Sequence, residues 1–264
     1  MQHRKMYPVL FKIGKLSIFT YGAFVAAGFV AGILLAKREA GLLGEDQEKI
    51  MDLCFYILIA AIIGSRFLYV VINPEIFFSD PLEIFRIWNG GLVFYGGFIA
   101  AVGAAIIYLK NEKISIPKTS DIMAPSIAIG HFLGRMGCFF AGCCYGRGCD
   151  LPWAVKFTHP DSLAPIGIPL HPTQLYSSLN NLMIFTVLWC FRRRKKYDGQ
   201  LFLIYVFLYG ITRSFLEVFR GDDRGDSLFG IFSVSQVLGL SMAVVAVIML
   251  LRPGTLFKKL EIEK

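Results

Sequence analysis

The sequence predicts an all-α, polytopic integral membrane protein with about seven transmembrane helices, and three observations predict it. Charged residues make up 17% of the 264-residue chain and hydrophobic residues 55%, where a soluble domain carries about 25% charged residues. The apolar residues lie in long runs, several reaching the roughly 20 residues that cross a hydrocarbon core of about 30 Å. The runs are rich in Leu, Ile, Phe and Ala and lack the alternation over roughly ten residues that marks a transmembrane barrel. In lipid the backbone must satisfy its own hydrogen bonds, so the helix is the natural form.

Hydropathy places the helices over Ser17–Ala36, Ile50–Val71, Gly91–Leu109, Ile122–Phe140, Leu175–Phe191, Gln200–Phe219 and Phe229–Leu251, within one membrane-embedded domain over residues 1–264. The first run follows Arg4, Lys5, Lys12 and Lys15, as a signal peptide's apolar region would. It is longer than such a region and more spans follow, so it is read as a retained helix. The fifth helix begins beside Pro172, a helix starter at the first position. Trp88 and Trp153 flank spans and are read as interfacial anchors. The loop from Ala141 to Thr173, rich in Gly, Pro, Cys and His, is long enough to be functional.

Orientation follows from the basic residues. One side of these spans holds fifteen, from Lys37 to Lys264, and the other nine, from Arg4 to Arg224. The richer side is expected in the cytoplasm, with the N-terminus outside and the C-terminus inside; the four basic residues before the first helix argue the other way. The net charge of +8 reflects these loops. It forms no continuous stripe, so no nucleic acid is expected as a partner. An odd number of spans without an internal repeat counts against inverted-repeat transporters.

Arg66, Arg135 and Arg213 remain within apolar runs. Placing an arginine at a helix centre costs about 2.5–3.5 kcal/mol on insertion scales, so such residues face a bundle interior or a wet cavity. Snorkelling or a structural ion pair is the plainer reading. Three on separate helices point to a shared anion, and guanidinium binds two phosphate oxygens at once. On the sixth helix Tyr209, Arg213, Glu217 and Arg220 share one face, where Glu217 can pair with both arginines. Gly90–Gly97 and Gly134–Gly146 are glycine-rich, permitting close backbone approach.

These segments resemble the prolipoprotein diacylglyceryl transferase family. Gly134, Arg135, Gly137, Phe139, Gly142 and Gly146 fit its G-R-x-G-N-F-x-N-G-E-x-x-G signature. Around them, in order, stand Tyr21-Gly22, then Gly64-Ser65-Arg66 with Tyr69, then Gly90–Gly97 against G-G-L-x-F-H-G-G. His171-Pro172-Thr173-Gln174-Leu175-Tyr176 and the Tyr209, Arg213, Glu217, Arg220 series complete the set. The resemblance spans roughly residues 17 to 251 and implies seven spans in the bacterial cytoplasmic (inner) membrane, with a site near the outer leaflet. It implies transfer of the diacylglyceryl group of phosphatidylglycerol to the lipobox cysteine thiol in a preprolipoprotein signal peptide. A thioether forms and glycerol 1-phosphate leaves, the first step of bacterial lipoprotein maturation. No cofactor is implied.

By this match Arg135, Arg213 and Tyr95 are the expected catalytic residues. Tyr21, Arg66, Gly97, Cys138, Gly146, Glu217 and Arg220 join Arg135 as expected contacts to phosphatidylglycerol and membrane lipid. Two departures stand out. Tyr95 replaces the family's histidine, and a phenol with a reference pKa near 10 is a poor base at neutral pH. Cys138, Ala141 and Cys143 replace two Asn and a Glu, within a Cys138, Cys143, Cys144, Cys149 series. That spacing is not a zinc-ribbon pattern, and no metal is expected, although four cysteines can converge on one. An outward-facing loop favours a disulfide, with connectivity open. Cys54 and Cys190 are read as packing residues, and His131 as a packed polar group. The alternatives are a diverged family member with altered activity and an arginine-lined transporter.

Overall fold

The computed structural model describes residues 8–13, 16–222 and 233–252. Strands β1 (Val9–Ile13) and β2 (Leu16–Phe19) form an antiparallel hairpin. The long helices are α1 (Thr20–Leu42), α2 (Gln47–Ile72), α4 (Phe94–Asn111), α5 (Ile116–Ala141), α6 (Thr173–Phe191), α7 (Gln200–Glu217) and α8 (Val234–Leu251). A six-residue helix, α3 (Pro74–Ser79), and two 3-10 turns, Pro81–Phe85 and Ile87–Asn89, link α2 to α4.

Each long helix overlaps a span expected from hydropathy, with shifted ends: α4 begins at Phe94 rather than Gly91 and α5 at Ile116 rather than Ile122. Ser17–Phe19 is strand rather than helix, because its backbone pairs with β1. The short helix α3 is absent from the hydropathy pattern; Pro74 starts it. The part of the expected last span before Ser233 lies outside the described residues, as do Arg4, Lys5, Lys15, Arg224, Lys258, Lys259 and Lys264. Among the described helices, α1, α2, α4 and α8 are both long and apolar enough to cross a membrane. The other three bury polar side chains: Thr119, Asp121 and Ser126 on α5, Gln174, Ser177, Ser178 and Asn181 on α6, and Ser214 on α7.

Local chemistry sets the helix ends. Asp46 caps α2, its carboxylate accepting from Glu48 N at 2.9 Å and Lys49 N at 3.3 Å. Ser233 and Gln236 form a reciprocal capping box on α8. Asp121 caps α7 from another helix, accepting from Gly199 N and Phe202 N at 2.9 Å each, while Lys195 neutralises it at 2.9 Å.

The chain divides into two compact units. Of the described residues, the larger comprises those up to 35 and from 120 onward, the smaller 36–119. In the larger, α7 packs on α6 and α8, around a core of Ala124, Ala128, Ile184, Leu188, Leu201 and Tyr205. A second core of Phe139, Phe157, Ala164 and Leu170 lies under the loop after α5, where β3 (Val155–Lys156) pairs antiparallel with β4 (Pro169–Leu170). In the smaller unit α2 packs on α4. Gly64 and Gly96 allow this: a Cβ on Gly64 would stand 2.5 Å from the Gly96 carbonyl oxygen. Large apolar side chains such as Ile63 and Phe67 of α2 point outward, as a helix in lipid requires.

Candidate active site

Arg135 lies near the C-terminal end of α5. The start of α1 crosses two residues further on, where a Cβ on Gly137 would meet the Tyr21 carbonyl oxygen at 3.2 Å. Phe24 stacks on Phe140 with ring centres 5.3 Å apart. Tyr21 is thus held beside the Arg135–Cys138 turn, within electrostatic reach of Arg135 and of Cys138, Cys143 and Cys144. Among the described residues Arg135 has no hydrogen-bonding or ion-pair partner. Its electrostatic neighbours are Tyr209, Cys144, Cys138 and Arg220. His131, one turn earlier, meets the Tyr205 hydroxyl through Nδ1 at 3.2 Å and packs at a tilt against the Tyr209 ring, so it is a packed polar residue.

Arg213 and Glu217 pair on α7 as their spacing predicts, but the helix ends at Glu217 and Arg220 lies beyond it, in an isolated bridge with Gly146. Arg213 donates to Glu217 one turn away, Arg220 Nε stands 3.9 Å from the same carboxylate, and the Ser233 hydroxyl donates to its other oxygen at 3.4 Å. Arg220 has a stronger partner that sequence reasoning missed. Its Nε and Nη2 form a bidentate pair with Asp222 at 2.8 and 2.7 Å. Burial opposes the Arg220 charge, but hydrogen bonds to Asp222 and Cys144 outweigh it and hold the guanidinium firmly protonated. An acidic residue two positions beyond the series was the available signal.

The loop after α5 is tied to α7 and α6 through its backbone. Gly146 pairs with Arg220 as an isolated bridge, Arg147 N donates to Phe219 O at 2.9 Å, and Gly221 N donates to Tyr145 O at 3.2 Å. Gly146 is required by close approach: a Cβ there would lie 2.5 Å from His171 Cβ and 2.8 Å from Phe219 O. The His171–Tyr176 segment acts as a clamp. His171 O accepts from Gly146 N, Thr173 Oγ1 donates to Cys144 O at 2.8 Å, and Gln174 Nε2 donates to Cys143 O at 2.9 Å. The His171 ring meets the Tyr176 hydroxyl at 3.2 Å and packs edge-on to Phe219, a polar anchor at the start of α6. Trp153 Nε1 donates to the same hydroxyl.

Among the described residues no disulfide forms, against expectation; all six cysteines carry thiols. Cys138, Cys143 and Cys144 instead converge as a triangle, every pair of sulfurs within 4.8 Å. Cys149 is drawn away, its backbone N–H donating to Pro169 O at 3.0 Å. Cys144 adopts a left-handed backbone, φ +59°, uncommon for a residue with a side chain.

Arg66, Tyr95 and Gly97 belong to the smaller unit. Arg66 is 6% exposed and its donors are engaged by backbone. Nε donates to Ile84 O at 3.0 Å, Nη1 to Gly90 O at 2.7 Å and to Gly91 O at 3.2 Å, and Nη2 to Glu83 O. Tyr69 and Phe77 flank the guanidinium at 5.5 and 5.4 Å. Gly97 is buried in the α2–α4 contact, where a Cβ would meet Ser65 Oγ and stand 2.8 Å from Ala61 O. Tyr95, in the first turn of α4, is 51% exposed and packs edge-on to Phe94. Trp88 and Trp153 are both largely exposed.

A helical fold with several membrane-length apolar segments, and an arginine without a partner among the described residues beside two ion-paired arginines, defines a class: a membrane protein equipped to handle an anionic group. The family described as prolipoprotein diacylglyceryl transferase matches residues 8–252, and the chain belongs to that family. It is similar to phosphatidylglycerol–prolipoprotein diacylglyceryl transferases from Clostridium tetani (35% identical, covering 92% of this chain and 96% of the relative) and Geobacter sulfurreducens (35%, 92% and 96%). A transferase of the same name from Listeria innocua is 36% identical, covering 91% of this chain and 87% of the relative.

Proposed function

We propose that this protein is a phosphatidylglycerol–prolipoprotein diacylglyceryl transferase, joining the diacylglyceryl group of phosphatidylglycerol to the lipobox cysteine of a preprolipoprotein. Relatives of that name cover nearly the whole chain. The observation that carries the site is Arg135. Of the four arginines singled out from sequence, Arg66, Arg213 and Arg220 are spent on protein partners, whereas Arg135 has none among the described residues. A guanidinium left unpaired among aromatic rings and thiols is suited to an anion that arrives with the substrate.

In the reaction, sulfur attacks the glycerol carbon bonded to phosphate, and negative charge grows on the leaving oxygen. A fixed cation aimed at that oxygen stabilises the transition state. Arg135 is the proposed donor, with Arg213 supporting it while Glu217 holds Arg213 in place. Arg220, held by Asp222 and Cys144, fixes the loop that carries Gly146, and Tyr21 and Cys138 complete the wall. The attacking thiol must become a thiolate. Tyr95 is proposed to position the headgroup by its hydroxyl, a role supported by its place in the family motif. Arg66 is proposed to act by shaping the segment before α4, and Gly97 by bringing α4 close to α2. Seven crossings by α1, α2 and α4–α8, an outer N-terminus and a site near the outer leaflet of the bacterial cytoplasmic membrane complete the reading, supported by helix lengths and loop charge.

The test is complementation of cells depleted of their own diacylglyceryl transferase. Restored growth and lipoprotein modification are expected; failure by a correctly inserted protein would favour a diverged activity or a transporter.

A further inference from the structure

We propose that Cys138, Cys143 and Cys144 hold one zinc ion whose fourth position takes the acceptor thiol of the substrate. This rests on the transferase reading above and deepens it. Three features of the larger unit carry it.

The first is geometry. A zinc ion holds thiolates at about 2.3 Å in a tetrahedral arrangement, which places sulfurs about 3.8 Å apart. The three sulfurs already lie within 4.8 Å of one another, so small side-chain adjustments close the shell. No fourth His, Cys, Asp or Glu joins them among the described residues. Three protein ligands and one open position is the pattern of zinc sites that take a substrate atom.

The second is the construction of the loop. Cys144 stands in the left-handed region at φ +59°, a conformation that persists only where surroundings enforce it. The enforcing contacts are the hydrogen bonds from Thr173 Oγ1 and Gln174 Nε2 to the carbonyl oxygens of Cys144 and Cys143, and Gln174 is fully buried. Side chains that orient ligands from behind are what a metal centre needs.

The third is charge. Three thiolates around a zinc ion carry a net charge of −1. Arg135 lies within electrostatic reach of Cys138 and Cys144, and Arg220 within electrostatic reach of Cys144. Two guanidinium groups within electrostatic reach of the sulfurs favour an anionic centre.

The chemistry matches the two departures from the family pattern. The family's histidine is replaced by Tyr95, a weak base at neutral pH. A thiol that coordinates zinc is deprotonated outright, so this site would supply the thiolate without a histidine. The acceptor thiol binds and its proton passes to solvent. The sulfur electron pair then forms the C–S bond as the glycerol C–O bond breaks, its pair leaving on glycerol phosphate. The thioether product, uncharged, binds the metal weakly and departs.

The test uses the full chain, purified reduced in detergent, equilibrated with Zn²⁺ and desalted. About one zinc per chain is expected. Retention should fall at least tenfold in Cys138→Ser, Cys143→Ser and Cys144→Ser, and stay unchanged in Cys190→Ser. Zinc X-ray absorption should show three sulfurs at about 2.3 Å, rising to four with a lipobox-cysteine peptide. Wild-type protein retaining no zinc, or a sulfur count that the peptide does not raise, overturns the proposal. Equal transferase activity in zinc-free and zinc-loaded protein overturns the zinc step and leaves the transferase reading standing. A four-sulfur shell without any transfer supports the site and defeats the transferase reading.

Discussion

Gln174 Nε2 donates a 2.9 Å hydrogen bond to the carbonyl oxygen of Cys143, joining the first turn of α6 to the loop after α5. Thr173 does the same for Cys144. A buried carbonyl deprived of its donor costs about 1–3 kcal/mol. Gln174→Leu is expected to loosen the loop and slow diacylglyceryl transfer about tenfold or more while the protein still inserts. Transfer rates in reconstituted vesicles, beside hydrogen exchange over residues 142–146, check this.

Arg135→Ala is expected to reduce transfer at least about a hundredfold, the scale of losing one donor to a developing oxyanion. Arg135→Lys should recover only part, because an ammonium lacks the planar fork. Normal transfer by Arg135→Ala in a reconstituted assay would remove the phosphate-site proposal.

Arg213→Ala should also abolish transfer, by a different route. It leaves Glu217 buried with Arg220 Nε at 3.9 Å as its remaining charged partner among the described residues. Removing one member of a buried pair costs about 3–5 kcal/mol. The double variant Arg213→Leu with Glu217→Leu should therefore be more stable than Arg213→Ala and equally inactive. Unfolding in detergent and transfer assays separate the two effects.

Tyr95→Phe keeps the ring and removes the hydroxyl. The expected outcome is slower transfer, about tenfold, the scale of one hydrogen bond, with insertion unchanged. An unaltered rate would leave the hydroxyl without a part in the reaction.

Asp121→Ala is expected to destabilise the protein by about 3–5 kcal/mol. The carboxylate is buried, pairs with Lys195 and caps the first turn of α7 through Gly199 and Phe202. Denaturant titration in detergent measures the loss. A variant as stable as the parent would show that the cap contributes little.

The Arg213–Glu217 pair on α7 was legible because helical periodicity alone places residues four apart on one face, whereas Arg220 lies beyond the helix end. The cysteine triad was not, since its sulfurs converge only through a left-handed residue and two hydrogen bonds from a segment some thirty positions away. Arg66 shows the same limit. An arginine in an apolar run signals a burial cost that something must offset, but not whether a ligand or the chain's own carbonyls will do so. In the folded chain the carbonyls of Glu83, Ile84, Gly90 and Gly91 do.

The sequence by itself therefore determined the properties that local rules set: a helical membrane chain, its long apolar segments, its family and the charged face of α7. Only the tertiary structure decided which polar groups meet. It paired Asp121 with Lys195, closed three thiols into a triangle and left Arg135 unpaired among the described residues. Apolar length and helical spacing are written along the chain. Partner choice depends on distances between remote segments, and only packing sets those.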